Sequence, residues 1–165
     1  MSDLNLPQVI EGDLVAPPGA RFAIVASRFN ELVVDRLAEG AREGLLRHGV
    51  EPERITLVRV PGAWELSLAT QRLAKSGRFD AIIACGAVIR GATAHFDYVA
   101  GEAARGVADA TTTTGVPVIF GVLTTDTIEQ ALERAGTKAG NKGFDSALAA
   151  LEMVTLGRRL TELGL

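Results

Sequence analysis

Four short apolar runs, each followed by residues at helical spacing, restrict this chain more than any other feature. The runs are Arg21-Phe22-Ala23-Ile24-Val25-Ala26-Ser27, Ile55-Thr56-Leu57-Val58-Arg59-Val60, Asp80-Ala81-Ile82-Ile83-Ala84-Cys85 and Val116-Pro117-Val118-Ile119-Phe120. Apolar runs of this length, bounded by turn residues, read as buried strands. After the first, Val34, Leu37, Ala41 and Leu45 mark a helix over about 31–48, stopped by Gly49 and Pro52. Asn30 is expected to cap it by accepting from its free N–H groups. After the second run, Leu66, Ala69 and Leu73 share a helix face, and Gly77 follows. After the third, Phe96, Val99, Ala103 and Val107 predict a helix from about 94 to 111. The run Thr111 to Thr114 and then Gly115 should end it, because β-branched residues make poor helix. Asp126-Thr127-Ile128-Glu129 has a capping-box pattern and opens a short helix to about 135. A Gly-rich joint, 136–143, leads to a long closing helix with Phe144, Leu148, Leu151 and Val154 in step.

Strands that alternate with helices form a parallel sheet covered on both faces, with right-handed crossovers. The expected fold is therefore α/β, a three-layer αβα sandwich on a four-stranded parallel sheet. With 165 residues the chain suits one domain, 1–165, and is too short for two ordinary ones. Residues 1–20 form an arm broken by Pro7, Pro17, Pro18 and Gly19. Val9 and Ile10 suggest a short strand near Leu14-Val15. The arm either frays or adds to a sheet, that of a neighbouring subunit included.

Composition narrows the class. Hydrophobic residues make up 47% and charged ones 22%, and the mean hydropathy is +0.21. That balance suggests extra surface buried between subunits, although much of it is alanine. A net charge of −3 argues against a nucleic-acid partner and a polybasic membrane contact. The one cysteine, Cys85, sits in an apolar run and reads as a core residue. Residues 1–11 have neither a basic n-region nor an apolar h-region, so a cytoplasmic location is the default expectation. No His, Cys, Asp or Glu set has metal-ligand spacing, so no metal is expected.

Ligands of an open parallel sheet bind beyond the carboxyl ends of its strands. That rule collects Ser27 to Asn30, Pro61 to Glu65, Gly86 to His95 and Phe120 to Leu123. Phe29, Trp64 and Phe120 offer rings that can sandwich a flat heterocycle. Gly86 and Gly91 have P-loop spacing, but Ala92 and Thr93 stand where a P-loop has Lys and Ser or Thr. One phosphate at the following helix N-terminus fits, and a magnesium-bound triphosphate does not. His95, one of two histidines, is the acid–base candidate that titrates near neutrality unaided. The bland reading of the same stretch is a strand–helix turn with a capping threonine and an exposed histidine. Trp64 alone reads as packing and Glu65 as a first-turn dipole partner. His48 suits the C-terminal end of its helix. Arg134, Lys138 and Lys142 are spaced to share a helix face, but glycines interrupt it. A phosphate clamp and a solvated basic edge fit that spacing equally.

Five separated blocks in order resemble the 6,7-dimethyl-8-ribityllumazine synthase family of riboflavin biosynthesis. They are Ser-Arg-Phe-Asn at 27–30, Val-Pro-Gly-Ala-Trp-Glu at 60–65 and Gly-Ala-Val-Ile-Arg-Gly-Ala-Thr-Ala-His-Phe-Asp-Tyr at 86–98. The later two are Thr-Thr-Gly-Val-Pro-Val-Ile-Phe-Gly at 113–121 and Glu-Arg-Ala-Gly-Thr-Lys-Ala-Gly-Asn-Lys-Gly at 133–143. The resemblance implies a flavodoxin-like fold and a transferase that needs no cofactor. Its reaction joins 5-amino-6-ribitylaminouracil to 3,4-dihydroxy-2-butanone 4-phosphate, with loss of phosphate and water.

The resemblance also implies residue roles. Phe29 stacks on the pyrimidine, and Ala63, Trp64, Glu65, Ala87, Val88, Ile89 and Phe120 complete that site. Ala92, Thr93 and Arg134 bind the phosphate, and His95 transfers protons. Asn30, Lys138 and Lys142 are further candidates. Family members vary at Trp64, Ala87 and Ala94, so any contact at Ala87 must come from backbone. The implied assembly is a homopentamer whose sites lie between subunits, with Phe120 and Arg134 reaching the neighbour's site. Twelve pentamers can form a hollow icosahedral shell, and riboflavin synthase is a candidate partner. The joint at 136–143 has the short family form, which leans towards the shell. The rival readings are a non-catalytic flavin- or lumazine-binding module and a protein whose main role is shell formation.

Overall fold

The computed structural model describes residues 7–165. Its strands and helices run β1 (Phe22–Ser27), α1 (Glu31–Arg47), β2 (Ile55–Val60), α2 (Leu66–Lys75), β3 (Ala81–Ile89), α3 (His95–Thr114) and β4 (Val118–Thr125). Then come α4 (Ile128–Glu133), β5 (Ala135–Thr137), β6 (Gly140–Asn141) and α5 (Lys142–Glu162). The main sheet has the order β2-β1-β3-β4, and its neighbours pair in parallel. The expected sandwich forms.

Continuous apolar runs are needed because both faces of the sheet are covered. Phe22, Ile24 and Ala26 of β1, with Ala81, Ile83 and Cys85 of β3, pack with Leu37, Ala41 and Leu151 from α1 and α5. Ala23, Val25, Ile82 and Ala84 pack on the opposite side with Leu66, Ala103 and Val107 from α2 and α3. The period of two along each strand sorts alternate residues to the two layers. Cys85 belongs to the α1/α5 side and is fully buried, as expected, and burial pushes its thiol up to about 12.

The strands are not of equal reach. The β1–β3 pairing ends at Ala26↔Cys85, and β1–β2 ends at Ser27↔Val60. The β3–β4 pairing continues for four more rungs, from Gly86↔Val122 to Ile89↔Thr125. Half of the sheet therefore projects about 13 Å past the other half. Both long strands exceed the sequence expectation, which ended them at Cys85 and Phe120. Pro117 precedes β4, where its carbonyl accepts from the Ile82 N–H at 2.9 Å.

Other local expectations need correction. The threonine run does not stop α3, because each hydroxyl bonds a carbonyl four residues back. Thr113 and Thr114 do so at 2.6 Å, to Asp109 and Ala110. The helix ends at Gly115, whose φ of 72° suits glycine. Thr127, not Asp126, caps α4, accepting from the Gln130 N–H at 3.1 Å, and Gln130 reaches back to the Asp126 N–H at 2.8 Å. Residues 135–141 form the β5–β6 antiparallel pair, so Arg134, Lys138 and Lys142 share no helix face. Asn141 then caps α5 through the Gly143 and Phe144 N–H groups.

Residues 7–20 contain no strand, so Val9 and Ile10 do not pair with Leu14-Val15. Asp13 is tied to α5 instead, its N–H donating to Thr155 Oγ1 and its carboxylate pairing with Arg159, both at 2.8 Å. Ala16 N–H donates to the His48 carbonyl at the end of α1 at 2.9 Å. The beginning of the arm, 1–6, lies outside the described residues. Among the described residues no helix is long and apolar enough to cross a membrane.

Candidate active site

The step left by the unequal strands holds a cleft of about 560 Å³. Phe29 and Asn30 after β1 line it, as do Pro61 to Glu65 after β2 and Ala87 to Ile89 at the end of β3. Gly91, Thr93 and the first turns of α3, with His95, Phe96 and Val99, complete the lining.

The two short-strand loops are laced together. Arg28 and Phe29 N–H groups donate to the Val60 and Pro61 carbonyls at 2.8 and 3.0 Å. This leaves the Phe29 ring standing 72% exposed at the cleft. Glu65 folds back, its Oε2 accepting from the Gly62 N–H at 2.9 Å. That bond closes a 3-10 turn over Ala63–Glu65, which buries Ala63 and leaves Trp64 half-exposed. Two rings therefore flank one cavity, as expected for a planar ligand.

Asn30 departs from its expected capping role. Its side chain makes no cap bond, and its backbone is left-handed at φ 60°, ψ 40°. The amide instead donates to the Ala87 carbonyl at 2.9 Å. At that level β1 has already turned away, so the carbonyl has no ladder partner on the β1 side. The backbone carbonyl of Asn30 receives the N–H groups of Val33 and Val34, both at 3.0 Å.

Gly86 lies in β3 opposite Val122 and is not part of a loop, so the P-loop spacing has no P-loop geometry. The turn is 90–94, exposed throughout. It delivers the chain to α3, a 20-residue helix whose first N–H groups lack intrahelical acceptors. Thr93 Oγ1 lies 3.4 Å from the His95 N–H, and His95 is exposed at the first helical position. This is a favourable place for an anion beside a titratable ring.

The structure thus gathers Phe29, Asn30, Ala63, Trp64, Glu65, Ala87, Val88, Ile89, Thr93 and His95. Ala92 belongs to the same loop but does not line the cleft. Phe120 is mid-strand, opposite Ala84, half-buried with the α3 layer and outside the cleft. Arg134, Lys138 and Lys142 are exposed around the β5–β6 pair, also outside it. Pro61, Gly62, Phe96 and Val99 line the cleft without having been singled out as site residues. Phe96 and Val99 were legible only as part of an apolar helix stripe, and their half-burial comes from facing an open cleft.

The comparison with known proteins is decisive for the family. Residues 19–158 match the model of 6,7-dimethyl-8-ribityllumazine synthase. The chain belongs to this family. A relative from Halorhodospira halophila, named 6,7-dimethyl-8-ribityllumazine synthase, is 63% identical over 153 residues, covering 93% of this chain and 98% of that protein. The lumazine synthase family acts on small molecules, and the cleft at the sheet step has the concave, mainly apolar character of a small-molecule site.

Proposed function

We propose that this chain condenses 5-amino-6-ribitylaminouracil with 3,4-dihydroxy-2-butanone 4-phosphate to 6,7-dimethyl-8-ribityllumazine, in the penultimate step of riboflavin biosynthesis. The observation that carries the reading is one cleft lined by the rings of Phe29 and Trp64 and by His95 at the N-terminus of α3. The pyrimidine lies against Phe29, with the backbone of Ala87 to Ile89 reading its edges. Ala63, Trp64, Glu65 and Asn30 contact the pyrimidine and its ribityl chain. Ala92 and Thr93 hold the phosphate at the turn and helix end.

The amine of the uracil attacks the ketone and an imine forms with loss of water. Phosphate then leaves, and closure of the second ring releases another water. Every step needs proton movement between heteroatoms, which His95 performs from the wall of the cleft. Aligned contact of two substrates lowers a barrier by about 7–11 kcal/mol, whereas one positioned acid–base group contributes about 10²–10⁴-fold. Orientation by the cleft is therefore the larger effect. No metal or organic cofactor enters this scheme.

Two expected site residues, Phe120 and Arg134, lie outside the chain's own cleft. We assign them to the cleft of an adjacent subunit in a homopentamer, with Lys138 and Lys142 near the same phosphate. Exposed Phe29, Leu32, Tyr98 and Ile128 supply apolar surface for such contacts. The described part of the arm, 7–20, exposes Val9 and Val15 and adds to a neighbouring subunit's sheet. Twelve pentamers form a shell, with riboflavin synthase as a partner and the cytoplasm as the location.

Mixing the two purified substrates with the protein tests the reaction. Lumazine absorbance should appear together with one phosphate per product. Binding of a lumazine without turnover would replace the synthase reading with a binding module. Light scattering separates a pentamer from a 60-subunit shell, and a monomer that turns over at full rate would remove Phe120 and Arg134 from the site.

A further inference from the structure

The turn that leads into α3 has little to hold it in place. Apart from Gly91 itself and its two chain neighbours, no atom lies within 4 Å of where a Cβ on Gly91 would sit. Ala92 and Ala94 carry no polar side-chain atoms, and the Thr93–His95 bond is long at 3.4 Å. Its geometry must therefore be set from its two ends.

Arg90 joins those ends. Its N–H donates to the Thr125 carbonyl at 2.8 Å, the last backbone tie between the long strands. Its Nε donates to Asp126 Oδ1 at 3.1 Å, beyond the end of β4. An outer guanidinium nitrogen meets Asp97 Oδ1 at 3.4 Å, in the first turn of α3. The guanidinium carbon lies 4.1 Å from the centroid of the Phe96 ring. Phe96 lines the cleft and is adjacent to His95. One side chain thus spans the strand end before the turn and the helix start after it.

We propose that Arg90 is a positioning residue that sets the span of the 91–94 turn and the placement of His95. The inference rests on the reading above, in which that turn holds the substrate phosphate. Arg90 acts through the turn and not as a phosphate ligand. Its one positive charge already faces two carboxylates and a ring, which together leave the cluster negative. The three charged side chains are about half or more exposed, so their ion pairs contribute little to global stability. Substitution should therefore leave the fold standing and loosen one turn.

The tests are R90M, R90K and the charge-matched R90M/D97N/D126N. In R90M the KM for the butanone phosphate should rise about tenfold or more, since small misplacements of reacting groups carry large rate penalties. The KM for the uracil should stay within about twofold, because the contacts at Phe29 and Trp64 are untouched. R90K restores charge without the planar fork and should recover only part of the loss. The triple variant removes the repulsion between bare carboxylates and phosphate. Persistent loss there supports positioning, and full recovery would reduce Arg90 to charge balance and overturn the proposal. Hydrogen exchange gives a readout independent of turnover. The two bonded amides that flank the turn, at position 90 (to the Thr125 carbonyl) and at Asp97 (to the Ala94 carbonyl), should exchange about tenfold faster in R90M, the effect of losing two ion pairs and a cation–π contact. Unchanged exchange would overturn the proposal even in an active enzyme. Faster exchange in a protein that never turns over these substrates would retain the positioning role and sink the proposed reaction.

Discussion

Asn30 offers the sharpest test of how the cleft is held, because one residue combines backbone strain with a tertiary bond. It is the one non-glycine residue at positive φ among those described, and its amide donates to Ala87 at 2.9 Å. Asn30→Ala removes a bond that contributes about 1 kcal/mol net. It also places a residue with a simple Cβ in a left-handed conformation, at about 1–2 kcal/mol. The sum is roughly 2–3 kcal/mol. Asn30→Gly loses the same bond but tolerates the backbone. Its greater freedom when unfolded returns about 0.4–1 kcal/mol of that advantage. The glycine variant should therefore be more stable than the alanine variant by roughly 0.5–1 kcal/mol, although both fall below the parent. At about 2–4 °C per kcal/mol for a chain of this size, the alanine variant should melt about 4–12 °C lower. Equilibrium unfolding in urea at one fixed protomer concentration reads all three. An alanine variant as stable as the glycine variant would refute the strain argument. A glycine variant as stable as the parent would refute the bond to Ala87.

His95→Ala should slow turnover by about 10²–10⁴-fold and leave measurable activity, read by lumazine absorbance; complete loss with binding intact would reverse the ranking of orientation over proton transfer. Arg134→Ala should chiefly raise the KM for the butanone phosphate, and an unchanged value would remove Arg134 from the phosphate site. Cys85 should resist iodoacetamide near pH 8 until the protein is unfolded, because burial holds its thiol at about 12 against an ordinary value of 9.0. The same shift favours the neutral thiol in the fold, so its contribution to stability is present below about pH 9 and declines as pH rises towards 12. Gly121→Ala should destabilise by about 1–3 kcal/mol in thermal unfolding, since its Cβ would sit 2.8 Å from the Ala84 carbonyl oxygen inside the sheet.

The layered fold was legible because its causes are local. Ile82-Ile83-Ala84-Cys85 reads as a strand covered on both faces, and Val34, Leu37, Ala41 and Leu45 read as one helix stripe, as the fold has them. The strand-end rule places Phe29, Trp64 and His95 near one another from sequence alone, and all three line one cleft. Phe120 escaped the rule because its strand runs on to Thr125.

Residue pattern alone could not set that strand length. Gly86 to Ile89 remain strand because Val122 to Thr125 lie beside them, a pairing between segments distant in the chain. The threonines of α3 likewise stay helical once their hydroxyls have helix carbonyls to bond. Asn30 turns from a cap into a tie because the end of β1 leaves the Ala87 carbonyl without a strand partner. Local periodicity determined which residues face the core. Long-range register determined where the sheet breaks into a step, and that step makes the cleft.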